Sequence, residues 1–282
     1  MDFTTVISAE ELLEHLGDSD VVVLDARFSL DDEAWGETAY AEGHIPGARH
    51  ANTATHLSGP IVPRVTGRRP FPDPEEFAVQ LGRWGISPDT QVVTYDADGG
   101  RMSAARVWVM LRWMGHDRVA VLSGGWQAWL AAGGPISTDE PEPSTSTYPA
   151  QLRPELLADV TEVDEFRQRA RTCVFDSRGA EGYHGGGVYH DPVRGHIAGA
   201  GLADRANTTN DDLTLRDPEA LREYYTELLD GVDPADVIFY CGSGITAAQN
   251  VLAMHAAGLP GARMYVGSWS EWINDPSRPV EL

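Results

Sequence analysis

The chain has 282 residues, of which 42% are hydrophobic, enough for one large or two ordinary domain cores and too many for a disordered chain. Its formal net charge is −22 and every one of its 21 basic residues is arginine; a surface of that sign repels phosphate backbones and argues against a nucleic-acid partner. The acidity fits either an ordinary solvated surface or adaptation to salt. Cys173 and Cys241 are the only cysteines, too few for a disulfide scaffold or a cysteine zinc site, and the nine histidines lack metal-ligand spacing, so no metal is expected. The start, Met1-Asp2-Phe3, lacks the basic residues and apolar run of a secretory signal. No apolar stretch nears the roughly 20 residues a membrane span needs. A soluble, cytoplasmic protein is the expectation.

In chain order, Ser8-x-x-Glu11 reads as a capping box that opens a first helix. Val21 to Leu24 is a short apolar strand ending in Asp25-Ala26-Arg27, followed by Gly43-His44-Ile45-Pro46-Gly47-Ala48. Asp73 and Pro74 occupy the N-cap and first position of a helix, where proline's missing N–H costs nothing. Gly85 to Pro88 then leads into a strand, Val92 to Tyr95, and Gly125-Trp126-Gln127-Ala128-Trp129 follows.

The second half repeats this order. Cys173 to Phe175 ends in Asp176-Ser177-Arg178, and Gly195 to Ala200 matches Gly43 to Ala48. Asp217-Pro218 matches Asp73-Pro74, Val237 to Tyr240 matches Val92 to Tyr95, and Ser268-Trp269-Ser270-Glu271-Trp272 matches the earlier tryptophan motif. Thr161-x-x-Asp164 reads as a second capping box. Such a repeat means two copies of one domain. We place the first at residues 1–138, a Pro-, Ser- and Thr-rich linker at 139–153, and the second at 154–282. Buried apolar strands alternating with helices indicate an α/β fold, each copy a mainly parallel sheet with helices on both faces. Ligands of such sheets bind at the carboxyl ends of the strands.

At that end the copies diverge. In the second, the strand runs into Cys241-Gly242-Ser243-Gly244-Ile245-Thr246 and then a helical pattern that closes at Gly258. A cysteine at a strand-to-helix junction faces helix N–H groups and the positive end of the dipole, which favour a thiolate. The two glycines let further N–H groups turn toward the sulfur. In the first copy Asp96 stands in the cysteine's place, and the loop Asp98 to Arg101 lacks the Gly-Ser-Gly nest, so this copy is expected to be inert. Cys173, within a strand, reads as core.

These motifs resemble the tandem-domain rhodanese family of sulfurtransferases along nearly the whole chain. Cys-Gly-Ser-Gly-Ile-Thr is similar to the C-G-S-G-V-T loop of 3-mercaptopyruvate sulfurtransferases rather than the C-R-K-G-V-T of thiosulfate-preferring members; the repeated G-H-I-x-G-A and the closing G-S-W-S-E-W agree with this. The resemblance implies two rhodanese-like domains and double displacement through a persulfide on Cys241, held by the loop Gly242 to Thr246. It implies a small anionic sulfur donor, an acceptor such as cyanide, a thiol or a thioredoxin-like protein, and no cofactor. It further implies that a first-domain histidine, here His44, can approach the loop. One departure bears on the donor: Gly182 stands where the family usually has a donor-binding arginine, and a second arginine expected near Tyr189 and His190 is also missing. Arg178 and Arg194 are the nearest basic candidates. A cysteine phosphatase would need arginine six residues after the cysteine, where Ala247 stands. A non-catalytic sulfur-relay or partner-binding module is the remaining alternative.

Overall fold

The computed structural model describes residues 2–142, 146–187 and 190–282. It divides into two compact units, which are described separately: residues 1–59, 71–153 and 211–215 form the first, and residues 60–70, 154–210 and 216–282 the second. Residues 60–70 thus group with the second unit although they lie early in the chain.

The first unit carries β1 (Val6–Ile7), α1 (Ala9–Glu14), β2 (Val21–Asp25), α2 (Trp35–Glu42), β3 (Arg49–His50), α3 (Pro74–Arg83), β4 (Gln91–Tyr95), α4 (Ser103–Trp113), β5 (Val119–Leu122) and α5 (Gly125–Ala131). Its five strands lie in the order β1-β5-β4-β2-β3, all parallel, so that β4 is central and Tyr95 pairs with Asp25 at its carboxyl end. The core gathers Leu12, Val23, Val93, Tyr95, Leu122 and Trp129. Parallel strands buried on both faces require continuous apolar runs, which Val21 to Leu24 and Val119 to Leu122 supply.

The second unit repeats the plan with β6 (Leu157–Ala158), α6 (Val160–Phe166), β7 (Val174–Asp176), α7 (Ala180–Tyr183), β8 (His196–Ile197), β9 (Gly201–Leu202), α8 (Pro218–Leu229), β10 (Ile238–Tyr240), α9 (Ala247–Ala256), β11 (Arg263–Tyr265), α10 (Ser268–Trp272) and β12 (Val280–Glu281). The parallel order β6-β11-β10-β7-β9 has β10 at its centre. Each Gly-His-Ile segment makes the same kind of antiparallel contact in its own unit: β8 pairs with β12, and His44 bridges to Ser137.

Side-chain caps open α1, α3 and α6. Ser8 and Glu11 form the expected box, and Asp73 accepts the N–H groups of Glu75 and Glu76. The box of α6 differs from the sequence reading: it is Asp159 with Glu162, two residues before Thr161 and Asp164. Asp159 accepts from the N–H of Thr161 itself, which puts Thr161 inside the helix.

The Asp-x-Arg pairs prove to be a clamp used in both units. Asp25 and Arg27 are buried; Arg27 Nη2 donates to Asp25 Oδ2 at 2.6 Å and to the carbonyls of Ala39 and Gly43, and lies over Trp126. Arg178 Nη2 donates to Asp176 Oδ2 at 2.6 Å and to the Gly195 carbonyl, and lies over Trp269. A strand-end tyrosine completes each clamp: Tyr95 donates to Asp25 and accepts from Ile45 N–H, while Tyr240 accepts from Ile197 N–H. Breaking a buried pair by removing one partner leaves an uncompensated charge, costing about 3–5 kcal/mol. Arg27→Met should therefore lower the urea midpoint sharply, and adding Asp25→Asn to it should recover part of the loss; a single variant indistinguishable from wild type in urea unfolding would refute the clamp.

Candidate active site

The strand β10 delivers Cys241 to the sheet's carboxyl end, and the chain then turns through Gly242 to Thr246 into α9. Gly244 has φ +75°, and a Cβ there would lie 2.1 Å from the Val266 carbonyl oxygen, so only glycine fits. The turn encloses the sulfur: Cys241 is 1% exposed, and the Gly244 N–H donates to Sγ at 3.2 Å. Burial pushes the Cys241 thiol up, but the Thr246 hydroxyl and the N–H groups of Ala247, Ser243 and Ile245 outweigh it, and the thiol sits below its ordinary value. These groups favour the charged form because they donate to it. Ser243 and Ile245 are themselves buried, so the loop is a walled cup of backbone donors.

Ser268, at the start of α10, braces this cup. Its hydroxyl accepts the Cys241 N–H at 3.1 Å, donates to the Tyr265 carbonyl at 2.9 Å, and stands 3.9 Å from Sγ. It does so at φ +55°, a strained value for a residue with a side chain; Gly125 holds the matching place in the first unit at φ +57°. The N–H groups of Trp269 and Ser270 donate to the carbonyls of Cys241 and Gly242. The tryptophan motif in the sequence concealed this role of its first residue.

In the first unit the corresponding pocket is present and already filled. The carboxylate of Asp96 accepts the N–H groups of Asp98, Gly100, Met102 and Ala104 at 2.8 to 3.1 Å. The loop lacks the Gly-Ser-Gly sequence of the second unit but still forms an N–H nest, and the Asp96 side chain occupies it. Burial pushes the Asp96 carboxyl above its usual range, against the pull of those four N–H groups.

The remaining sequence candidates are placed as follows. The guanidinium of Arg178 is committed to Asp176 and Gly195, as Arg27 is to its own partners; it nonetheless lies within the electrostatic reach of Cys241. Arg194 is exposed and lies beside Gly185. Both ring nitrogens of His44 face carbonyls of its own unit, Tyr40 and Asp139, and its ring stacks on Tyr40; His196 repeats the stack and the Nδ1 contact with Tyr183, while its Nε2 lies 3.6 Å from the Glu281 carboxylate. A Cβ at Gly182 would meet only Arg178 carbons, at 3.6 and 3.8 Å, so no crowding demands glycine there. Cys173 is buried in the core, its thiol pushed up by burial. A basic residue that sequence reading passed over does reach the loop. Arg68, in the segment 60–70 of this unit, has Nη2 3.6 Å from where a Cβ of Gly242 would stand. Among the described residues, no group of His, Cys, Asp and Glu is placed to hold a metal ion, and no helix is long and apolar enough to cross a membrane.

A cysteine cupped by N–H groups at the end of a parallel sheet, in a duplicated unit whose other copy carries aspartate, matches a known pattern. The rhodanese-like domain model matches residues 8–132 and 157–275. A probable 3-mercaptopyruvate sulfurtransferase of Pseudomonas aeruginosa is 40% identical over 281 residues, 99% of each chain. A putative thiosulfate sulfurtransferase, SseB, of Mycobacterium tuberculosis is 35% identical over 98% of this chain and 96% of its own. The crystal structure of SseA from Escherichia coli, a 3-mercaptopyruvate sulfotransferase with the rhodanese fold, superposes with a TM-score of 0.79 at 29% identity, covering 95% of this chain and all of the other. The chain belongs to the rhodanese-like family and is a sulfurtransferase of the tandem-domain type.

Two outcomes follow from the geometry of the cup. A lowered thiol keeps its thiolate at pH values above its own pKa and loses it only as pH falls through that pKa, so alkylation of Cys241 by iodoacetamide should reach its plateau below the range of about 8.5 that governs a free cysteine. A titration midpoint at or above that of free cysteine would contradict the cup. Ser268→Gly relieves the strained φ but removes the hydroxyl, so it should leave thermal stability close to wild type and raise the alkylation midpoint; an unchanged midpoint would make the hydroxyl structural only.

Proposed function

We propose that the protein transfers a sulfane sulfur from a small anionic donor to a thiol or cyanide acceptor through a persulfide on Cys241, with 3-mercaptopyruvate used ahead of thiosulfate. The observation that carries this is the Sγ itself, buried, favoured as thiolate, and ringed by N–H donors. The sulfurtransferase names of the full-length relatives support it.

In the first half-reaction the thiolate attacks the donor's outer sulfur and a new S–S bond forms. With 3-mercaptopyruvate the C–S bond breaks, its electron pair leaves on carbon as the pyruvate enolate, and the proton given up by the transferred sulfhydryl, exchanged through solvent, completes pyruvate. With thiosulfate the S–S bond breaks and sulfite leaves with the pair. The terminal sulfur of the persulfide then carries the negative charge, and the cup of N–H groups that favoured the thiolate favours this anion too. In the second half-reaction cyanide or a thiolate attacks the terminal sulfur, and the Cys241 thiolate is regenerated as leaving group. No other reactant is needed for either step to balance.

Donor preference follows from charge. Thiosulfate is a dianion and 3-mercaptopyruvate a monoanion at neutral pH. The loop residues Gly242, Ser243 and Gly244 bear no cationic side chain, and the net charge of −22 opposes anion approach. Backbone donors suit one carboxylate better than two charges. Screening shortens the repulsive field, from a Debye length of ~10 Å at 0.1 M salt to ~3 Å at 1 M, so added salt should be tolerated or should raise the rate.

Cys241→Ser should abolish turnover while Cys173→Ser leaves it nearly intact, and donor-treated protein should gain about 32 Da on the peptide holding Cys241. Retained turnover by the Cys241→Ser protein would refute the persulfide. In parallel, kcat/KM should be higher for 3-mercaptopyruvate, and a preference for thiosulfate of about tenfold or more, an energy of about 1.4 kcal/mol, would overturn the donor assignment.

A further inference from the structure

The two copies carry the same clamp but differ at its middle residue. Asp25-Ala26-Arg27 in the first unit becomes Asp176-Ser177-Arg178 in the second. Both middle residues are fully buried, and both donate their N–H to the carbonyl of the strand-end tyrosine: Ala26 to Tyr95 at 2.8 Å, Ser177 to Tyr240 at 2.7 Å. The exchange therefore leaves the backbone pairing unchanged and adds one hydroxyl. Ser177 Oγ is shut off from solvent, yet among the described residues it has no hydrogen-bond partner. A buried polar group left unpaired costs free energy, and the alanine of the first unit shows that the fold does not need this one.

The register of the sheet says what the hydroxyl stands beside. β7 and β10 pair in parallel with Asp176 opposite Tyr240, so the next positions, Ser177 and Cys241, are neighbours across adjacent strands. Side chains alternate between the faces of a sheet, and directly paired residues share a face. Asp176 and Tyr240 turn to one face, where carboxylate and phenol meet. Ser177 and Cys241 then turn to the other, where the chain entering α9 closes its N–H groups around the sulfur. Neighbouring strands lie ~4.8 Å apart, so a rotation about χ1 of Ser177 is enough to bring Oγ within hydrogen-bond reach of Sγ. In the first unit the residue across the same pair is Asp96, whose carboxyl group already accepts four N–H groups. Serine thus stands beside the sulfur and alanine beside the carboxyl group.

In the second half-reaction the acceptor attacks the terminal sulfur of the persulfide. The S–S bond breaks, the acceptor keeps the transferred sulfur, and the electron pair goes to Sγ. Negative charge therefore appears at Sγ in this step, next to Ser177. We propose that the Ser177 hydroxyl is a hydrogen-bond donor held for Cys241 Sγ, turning to the sulfur as it regains its charge and making it a better leaving group. The hydroxyl keeps its proton throughout, so the step balances without a further reactant. The role in discharge rests on the persulfide reading above, whereas the hydrogen bond to the thiolate does not.

The test is Ser177→Ala, the residue of the first copy, in the full-length protein. Removing a donor to the thiolate should move the midpoint of Cys241 alkylation by iodoacetamide up by about 0.5 pH unit or more. The rate on the high-pH plateau should not fall, because a less stabilised thiolate is at least as nucleophilic. Arg178, a charged group in electrostatic reach of the sulfur, keeps its bond to Asp176 in the variant, so the shift reports the hydroxyl. A persulfide preformed on the variant should discharge to cyanide about fivefold or more slowly than on wild type. The urea midpoint should stay equal or rise, since an unpaired hydroxyl has left the core. A hydroxyl with a structural partner gives the reverse, a lower urea midpoint with an unmoved titration. An alkylation midpoint within about 0.2 pH unit of wild type, a discharge rate within about twofold, or a loss of stability up to failure to fold would each overturn the proposal. If wild type itself accumulates no persulfide, the sulfur-transfer reading fails, and the alkylation midpoint still decides whether Ser177 reaches Sγ.

Discussion

A strand that runs directly into a helix leaves backbone N–H groups without carbonyl partners, and buried N–H groups must be satisfied. Both units of this protein meet that constraint at the carboxyl end of the central strand, and in both the answer is a side-chain acceptor. In the first unit it is the carboxylate of Asp96, which accepts four of those groups. In the second it is the sulfur of Cys241, lowered in pKa by the same class of donor. A ring of N–H donors, joined around Cys241 by the Thr246 hydroxyl, is satisfied by a group that accepts. The two pockets are thus one arrangement of donors filled in two ways, by the carboxyl group of Asp96 in one copy and by the sulfur of Cys241 in the other.

What surrounds each pocket follows from keeping its donors aimed. The clamps of Asp25 with Arg27 and Asp176 with Arg178 tie each strand end to the Gly-His-Ile segment, and the strand-end tyrosines add a second tie. Because the two clamps match, Arg178 is explained by the fold without reference to donor binding. The units part at the residue that opens the last helix of each. Gly125 adopts φ +57° without strain, whereas Ser268 adopts φ +55° with a side chain and uses its hydroxyl to hold Cys241 N–H. Strain at such a position persists only where surrounding structure enforces it, and here it lies against Cys241.

Most of this architecture was legible in the sequence because the signals are local and occur twice. Val92 to Tyr95 and Val237 to Tyr240 are apolar runs bounded by turn residues, and the Cys241 loop carries its glycines where backbone must turn. Boundaries were less legible. The cap of α6 falls on Asp159 because a carboxylate with Glu three residues on outcompetes the Thr161 alternative, and the short edge strands β1 and β6 have too few residues to show a pattern. The nest around Asp96 was hidden because nothing in Asp98-Gly99-Gly100-Arg101 announces which way its N–H groups point. Arg68 was the least legible of all. Its contacts with Asp191 and Ser270 span 123 and 202 positions in sequence, and no local periodicity encodes a pairing of that range.

The distribution of charge makes the dependence on backbone donors intelligible. A net charge of −22 spread over the surface acts at long range and is screened by salt, whereas hydrogen bonds near 3 Å inside a walled loop act at short range and are not. An acidic protein can therefore stay soluble and mutually repelling at its surface while presenting a strongly anion-favouring interior. The two demands conflict only during the approach of a donor from bulk solvent. They are reconciled if the cations that matter sit at the loop and are held there by carboxylates, since an oriented guanidinium loses little entropy when it binds and its paired aspartate adds little to the far field. Lysine, a flexible point charge, would serve this poorly, and arginine, with its planar fork, serves it well. A chain whose every cation is arginine is suited to recognising anions by geometry in a field that otherwise repels them.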